Sequence, residues 1–225
     1  MADATVCIAG AGMTSFGRHL DESLGALARQ AADAALADAA VAPGQIDLIV
    51  SANAMAGLLQ GQESVRGQVA LAQGPLAGKP LVNVENACAG GATAVQVAAW
   101  ALRAGAARRV LVIGAEKLFH PDKAATFRAL ASASDVAAHG GADTRSMFMD
   151  FYAGRARTHM EAHGTTPAQL AAVAAKNRRH GSLNPLAQFR SAVSADEVLD
   201  SRMIAAPLTL LMCSPISDGA AALVL

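Results

Sequence analysis

The chain has 225 residues, 53% of them apolar and only 4% aromatic, enough to bury a sizeable core in one large domain or two small ones. The apolar count rests on Ala, Val and Leu, which suits close helix-on-sheet packing better than an aromatic-rich sandwich. Eighteen basic and eighteen acidic side chains cancel, so no global field gathers nucleic acid or an anionic membrane, and neither partner is expected.

Residues 6–12 (VCIAGAG) are an apolar run closed by glycine and predict a strand. Asp21 is the predicted cap of the next segment, where Leu24, Leu27, Ala28, Ala31, Ala35 and Leu36 recur at helical spacing. Pro43 and Gly44 end that unit. A second strand is predicted over 46–52 (IDLIVSA), a short helix over 63–72, a third strand over 80–85 (PLVNVE), a helix over 88–104 and a fourth strand over 109–115 (RVLVIGA). Strands joined by helices imply right-handed crossovers and a mostly parallel sheet covered on both faces, an α/β fold.

Residues 116–149 break the rhythm. They carry Gly140, Gly141 and scattered charges without a sustained period, and a connection that long is usually a lid or binding loop. Helices then return. Thr166, Pro167 and Gln169 form a start signal, and Ser194 with Glu197 forms a second capping box that Val193 and Val198 staple. Residues 220–225 (AAALVL) read as a strand cut off at its own end, so a partner half is expected beyond it.

Cys7, Cys88 and Cys213 are an odd number, far apart, without CxxC or zinc-type spacing. No metal site is expected, and with no secretory signal at the start the chain is expected to be soluble and cytoplasmic. The uncharged run at 86–102 falls short of the roughly 20 apolar residues that span a bilayer. Cys88 stands where a strand turns into a helix, and free amides and the positive end of the helix dipole favour a thiolate there. Ala89, Gly90 and Gly91 leave room for an acyl group above the sulfur, and the same amides suit an oxyanion. The competing reading is a buried structural cysteine.

Other signals are weaker. Gly10–Ala11–Gly12 lacks the third glycine of a dinucleotide loop, Ser15 standing in its place, and reads as strand-end glycines. Lys176–Asn177–Arg178–Arg179–His180 is a basic cluster at a predicted helix end, where dipole interaction explains it more plainly than a phosphate site. His159 and His163 share one helix face at metal-ligand spacing, but no third ligand stands nearby.

Five segments occur in one order: 9–17 (AGAGMTSFG), 82–91 (VNVENACAGG), 114–117 (GAEK), 176–189 (KNRRHGSLNPLAQF) and 207–222 (PLTLLMCSPISDGAAA). Together they resemble the thiolases, most closely the sterol-carrier-protein type. The resemblance implies the thiolase fold, two similar βαβαβαββ halves of which this chain is the first. That half is a mixed, mostly parallel five-stranded sheet covered by helices, with residues 1–115 and 164–225 as its core domain and 116–163 as an inserted irregular or helical covering region. It implies Cys88 as the acylated nucleophile of an acyl-CoA C-acyltransferase that cleaves a 3-oxoacyl-CoA or runs the reverse Claisen condensation. Coenzyme A or acyl-CoA is then substrate, with no cofactor held permanently. The remaining acid/base and oxyanion groups belong to the family's second half.

By the same resemblance Ser214 approaches the pantetheine arm, its alternative being a turn serine before Pro215. Tyr152, beside Phe151, lines the acyl or pantetheine pocket or else sits in a core with its hydroxyl satisfied. Cys213 packs. A homodimer paired along residues 81–85 is implied, and some relatives add a small zinc-bearing OB-fold subunit. Glu85, Asn86 and Ala87 stand before Cys88 where sterol-carrier thiolases carry asparagines, and Ala89–Gly90–Gly91 replace their Thr–Gly, which bears on substrate class. Two rivals are an aldolase-like relative cleaving acyl-CoA side chains and a non-catalytic acyl-CoA-binding or scaffold subunit.

Overall fold

A computed structural model of the chain describes residues 5–139 and 146–225. In chain order its elements are strand β1 (Gly10–Met13), helix α1 (Leu24–Asp38), β2 (Leu48–Ala52), short helices α2 (Ala56–Gln60) and α3 (Arg66–Ala70), β3 (Leu81–Val84), α4 (Gly90–Arg103) and β4 (Val110–Lys117). Helices α5 (Lys123–Ala131), α6 (Val136–His139), α7 (Met147–His163), α8 (Pro167–Ser182) and α9 (Ala195–Asp200) follow. Strands β5 (Met203–Ala205), β6 (Leu208–Thr209) and β7 (Asp218–Val224) close the order. They form two units, Met1–Phe119 with Ser217–Leu225, and His120–Ile216.

The first unit holds a five-stranded mixed sheet in the order β1-β7-β4-β2-β3. Strands β2, β3 and β4 pair in parallel, while β7 is antiparallel to both β4 and β1. Four strands therefore share one direction, and β7 alone opposes them. In β4, residues Val110 to Ile113 are all buried, because helices cover both sheet faces. On one face Leu111, Ile113, Ala220, Ala222 and Val224 meet α1 through Leu27, Ala28, Ala31 and Ala35. On the other, Val50, Val110 and Val112 meet Ala94 and Ala98 of α4. The amphipathic period of α1 is thus the face it buries.

Several boundaries differ from expectation for local reasons. Pairing of β1 starts at Gly10, and Cys7 and Ile8 before it are exposed. Ser23, not Asp21, caps α1: its hydroxyl accepts from the Ala26 N–H at 3.1 Å, one position ahead of the first helical residue, whereas Asp21 lies a further two back. The segment 116–149 is more regular than its composition indicates. It holds the last two residues of β4 and helices α5 and α6, with Asp122 capping α5 through the Ala124 N–H. The pair Gly140–Gly141 lies outside the described residues.

The second unit takes in residues 120–163 of the expected covering segment and residues 164–216, which the sequence assigns to the core domain. Both predicted capping boxes form, Thr166 with Gln169 on α8 and Ser194 with Glu197 on α9. Val198 of α9 is fully buried and its carbonyl accepts from the Thr209 hydroxyl at 2.7 Å, which ties the β5–β6 pair to the helix. No helix among the described residues is long and apolar enough to cross a membrane.

Candidate active site

Strand β3 ends at Val84, and the chain turns through Glu85 and Asn86 into a 3-10 turn, Ala87–Ala89, that runs into α4. Cys88 sits on this turn and is exposed, which removes the reading of a buried structural thiol. Ala87, just before it, holds a left-handed φ of 43°, a conformation that costs an alanine about 1 kcal/mol or more. Three hydrogen bonds hold the turn there. The Ala87 N–H donates to Glu85 Oε1 at 2.6 Å, Asn86 Nδ2 donates to Thr93 Oγ1 at 2.8 Å, and the Thr93 hydroxyl donates to the Ala89 carbonyl at 3.0 Å. Helix α4 opens with no side-chain cap, so its first-turn amides have no side-chain acceptor.

A cavity of about 240 Å³ lies beside the sulfur, lined by Cys88, Asn86, Ala52, Gly114, Glu116 and Phe16 among others. All of its lining belongs to the first unit. Its floor is the α4 side of the sheet, where Ala52, Gly114 and Ala221 stand in register on three adjacent strands. Phe16 covers Gly219, on which a Cβ would come within 2.9 Å of the ring. A second cavity of about 370 Å³ reaches Asn53, Arg66, Asn83 and Glu85 but no cysteine. The Arg66 guanidinium there is engaged by the carbonyls of Asn53, Ala54, Gln62 and Glu63.

Two carboxylates hold the surroundings of the Cys88 cavity, half-buried Glu116 in its lining and buried Asp218 beside its lining residue Gly219. Glu116 accepts from the Ala54 N–H, from the Met55 N–H at 3.3 Å and from Asn53 Nδ2 at 3.1 Å. It thereby joins the end of β4 to the turn between β2 and α2. Burial pushes its carboxyl above the ordinary range, and the Ala54 and Met55 amides and Arg66 pull the other way. Asp218, fully buried, accepts from the backbone N–H of Phe119 at 2.7 Å and of His19 at 3.0 Å, with Lys117 Nζ 3.8 Å away. A buried charge that is paired and fully hydrogen-bonded pins these segments in place. Glu116 lies in the family-like segment 114–117, but taken alone it is a charge ending an apolar strand, which reads equally as a strand boundary.

Residues 6–225 match the thiolase amino-terminal domain family. The chain is 38% identical to an acetyl-CoA acetyltransferase of Methanothermobacter thermautotrophicus over 98% of its own length and 56% of that protein's. It is 34% identical to sterol carrier protein 2 of Gallus gallus over 98% of this chain and 41% of that one. Among solved structures, the Ltp2-ChsH2(DUF35) aldolase superposes with a TM-score of 0.72 at 27% identity, over 96% of this chain and 54% of that chain. The chain belongs to the thiolase family. It corresponds to the amino-terminal half and spans about half the length of the curated relatives it matches.

In this thiolase half the remaining candidates lie in the second unit. Tyr152 is on α7 and 56% exposed, edge-to-face with Phe151 at 5.3 Å, so it is a surface aromatic and not a core residue. Ser214 is exposed, between a 3-10 turn and β7. Cys213 packs: its thiol donates to the Thr209 carbonyl, and burial pushes the thiol up. His159 and His163 bring their rings to 4.7 Å, and among the described residues no group of three or more His, Cys, Asp or Glu is placed to hold a metal. In the basic cluster, Arg178 lies 4.2 Å over the Phe189 ring. Gly10 and Gly12 form no nucleotide loop. They pack against α1.

Proposed function

We propose that this chain is the nucleophile-bearing half of a thiolase-type acyl-CoA C-acyltransferase, with Cys88 as the acylated residue. The Cys88 thiolate attacks the keto carbon of a 3-oxoacyl-CoA. The bond between the α-carbon and that carbon breaks, the electron pair leaves as an acyl-CoA enolate, and a proton is delivered to the α-carbon. The thiol of coenzyme A then attacks the Cys88 thioester, releasing a shortened acyl-CoA and restoring the cysteine. Coenzyme A is a substrate in this scheme, and no permanently bound cofactor takes part. The acid and base groups for these proton transfers belong to the family's second half.

The observation that carries this reading is the placing of an exposed cysteine on a strained strand-to-helix turn, over a cavity floored by small residues. The uncapped start of α4 leaves amides available to an oxyanion formed during attack. Ser214 and Tyr152 are proposed contacts for the pantetheine arm and acyl group. The exposed edge strand β3, with Val82 41% exposed, suits pairing with a second copy. The Ltp2–ChsH2 pairing supports a further small partner subunit. The proposed setting is the cytoplasm.

Brief treatment with iodoacetamide, followed by peptide mapping, tests this directly. Cys7 is also exposed but stands on no helix start, so it serves as the internal reference. Cys88 is expected to react well ahead of Cys7 and Cys213, and equal labelling of the three sinks the proposal. A second reading, retro-aldol cleavage of an acyl-CoA side chain, is favoured by the structural match to the aldolase. Activity retained by Cys88→Ala, assayed together with the second half, decides for it.

A further inference from the structure

On its α4 side the sheet changes character from one row to the next. In one row Val82, Val50, Val112 and Leu223 stand side by side on β3, β2, β4 and β7. Two residues further along the same face the three inner positions become Ala52, Gly114 and Ala221. The small row lies under the Cys88 cavity.

Gly114 is the informative member. A glycine inside a strand usually marks a bulge, a close backbone approach or a place where a ligand comes near. Register runs unbroken through Gly114 with both neighbouring strands, so there is no bulge. A Cβ built on it meets nothing within 4 Å, so no described backbone of this chain needs the space, and its φ is an ordinary one. The contrast with Gly12, whose Cβ would lie 2.3 Å from the Ala35 nitrogen, is plain. Gly114 weakens its strand, and no described residue of this chain occupies the room beside it.

We infer that the row Ala52–Gly114–Ala221 selects the acyl group delivered to Cys88, and that Gly114 sets its size; this rests on Cys88 being the nucleophile. At about 4.8 Å between neighbouring strands, three strands give a floor about 10 Å wide. No branched side chain interrupts it, and Phe16 over Gly219 closes one end. Such a floor takes a straight or planar acyl chain larger than acetyl, lying across the strands, as its ligand.

The Cβ of Gly114→Val meets no neighbour within 4 Å, and valine suits a strand, so the fold is expected to hold. Gly114→Ala gives an intermediate case. The probes are iodoacetamide and its N-benzyl derivative, with alkylation rates at Cys88 and Cys7 read by peptide mapping. In Gly114→Val the benzyl-to-unsubstituted rate ratio at Cys88 is expected to fall about tenfold, the factor that about 1.4 kcal/mol of overpacking produces. The ratio at Cys7 stays unchanged. An unchanged ratio at Cys88 overturns the assignment of Gly114. A Cys88 no faster than Cys7 toward either probe instead overturns its role as nucleophile, while the size ratio still reports on the floor.

Discussion

Replacing Gly12 by alanine tests the packing that seats α1 on the sheet. A Cβ at position 12 would lie 2.3 Å from the Ala35 nitrogen, 2.5 Å from the Ala31 carbonyl oxygen and 2.7 Å from Ala34 Cβ. Relaxed heavy-atom contacts are about 3.5–4.0 Å, and two of these three neighbours are helix backbone, which has no rotamer to change. The helix must retreat by about 1 Å, drawing Leu27, Ala28 and Ala31 away from Ile113, Ala222 and Val224. Overpacking of this kind costs about 3 kcal/mol, the upper end of its usual span. That is a large share of the roughly 5–15 kcal/mol that holds a domain together. At about 2–4 °C per kcal/mol for a chain of this size, Tm falls by roughly 6–12 °C. Urea denaturation followed by circular dichroism measures the loss. Gly44→Ala is the control, because its Cβ meets nothing within 4 Å. Restricting the unfolded chain there is expected to leave stability unchanged or raise it by about 0.4–1 kcal/mol. A Gly12→Ala protein within about 0.5 kcal/mol of the parent, the ordinary scatter of surface changes, refutes the close-contact reasoning.

Glu116 carries a pH prediction. Burial raises its folded carboxyl above the ordinary 4.5, so between those two values the folded state holds more protons than the unfolded one. Stability therefore falls as pH rises through that window, by at most about 1.4 kcal/mol per pH unit. Glu116→Gln lacks this slope, so the stability difference, parent minus variant, declines from pH 4.5 upward; a flat difference contradicts it. Thr93→Val removes the partner of Asn86 Nδ2 and of the Ala89 carbonyl. It is expected to cost about 1 kcal/mol and to lower the Cys88:Cys7 alkylation ratio, and an unaltered ratio shows that the clasp does not position the sulfur. Thr166→Ala deletes one capping box and is expected to cost about 1 kcal/mol. Amide exchange in the first turn of α8 should accelerate, and unchanged protection there counts against the cap.

Most of the framework was legible because its signals are local. The period of Leu27, Ala28, Ala31 and Ala35 predicts the face α1 buries, and both capping boxes are written within four residues. Cys88 was legible for the same reason, as a cysteine where a strand meets a helix. Other features depend on distant partners. Nothing near residues 218–224 says that β7 inserts antiparallel between β1 and β4, more than 200 residues after the first of them. Glu116 acquires its role from Asn53, Ala54 and Met55, and Asp218 from His19 and Phe119, all far away in the chain. Helix α5 escaped notice because nine residues with three buried ones hardly establish a period. Asp21 lost to Ser23 as cap by register alone, a matter that residue type does not resolve.

Small residues have two opposite roles in this fold. On one face of the sheet, Gly10 and Gly12 are small so that protein fills the space: the α1 backbone lies where their side chains would be. On the other face, Gly114 is small with nothing where a Cβ would stand. A side chain at 114 would add strand propensity, and its Cβ meets no neighbour within 4 Å, so stability alone does not account for the glycine. Filling position 12 is therefore expected to unseat a helix, whereas filling position 114 is expected to leave the fold intact and change only what reaches Cys88. The two substitutions together separate small residues that serve packing from those that serve a ligand.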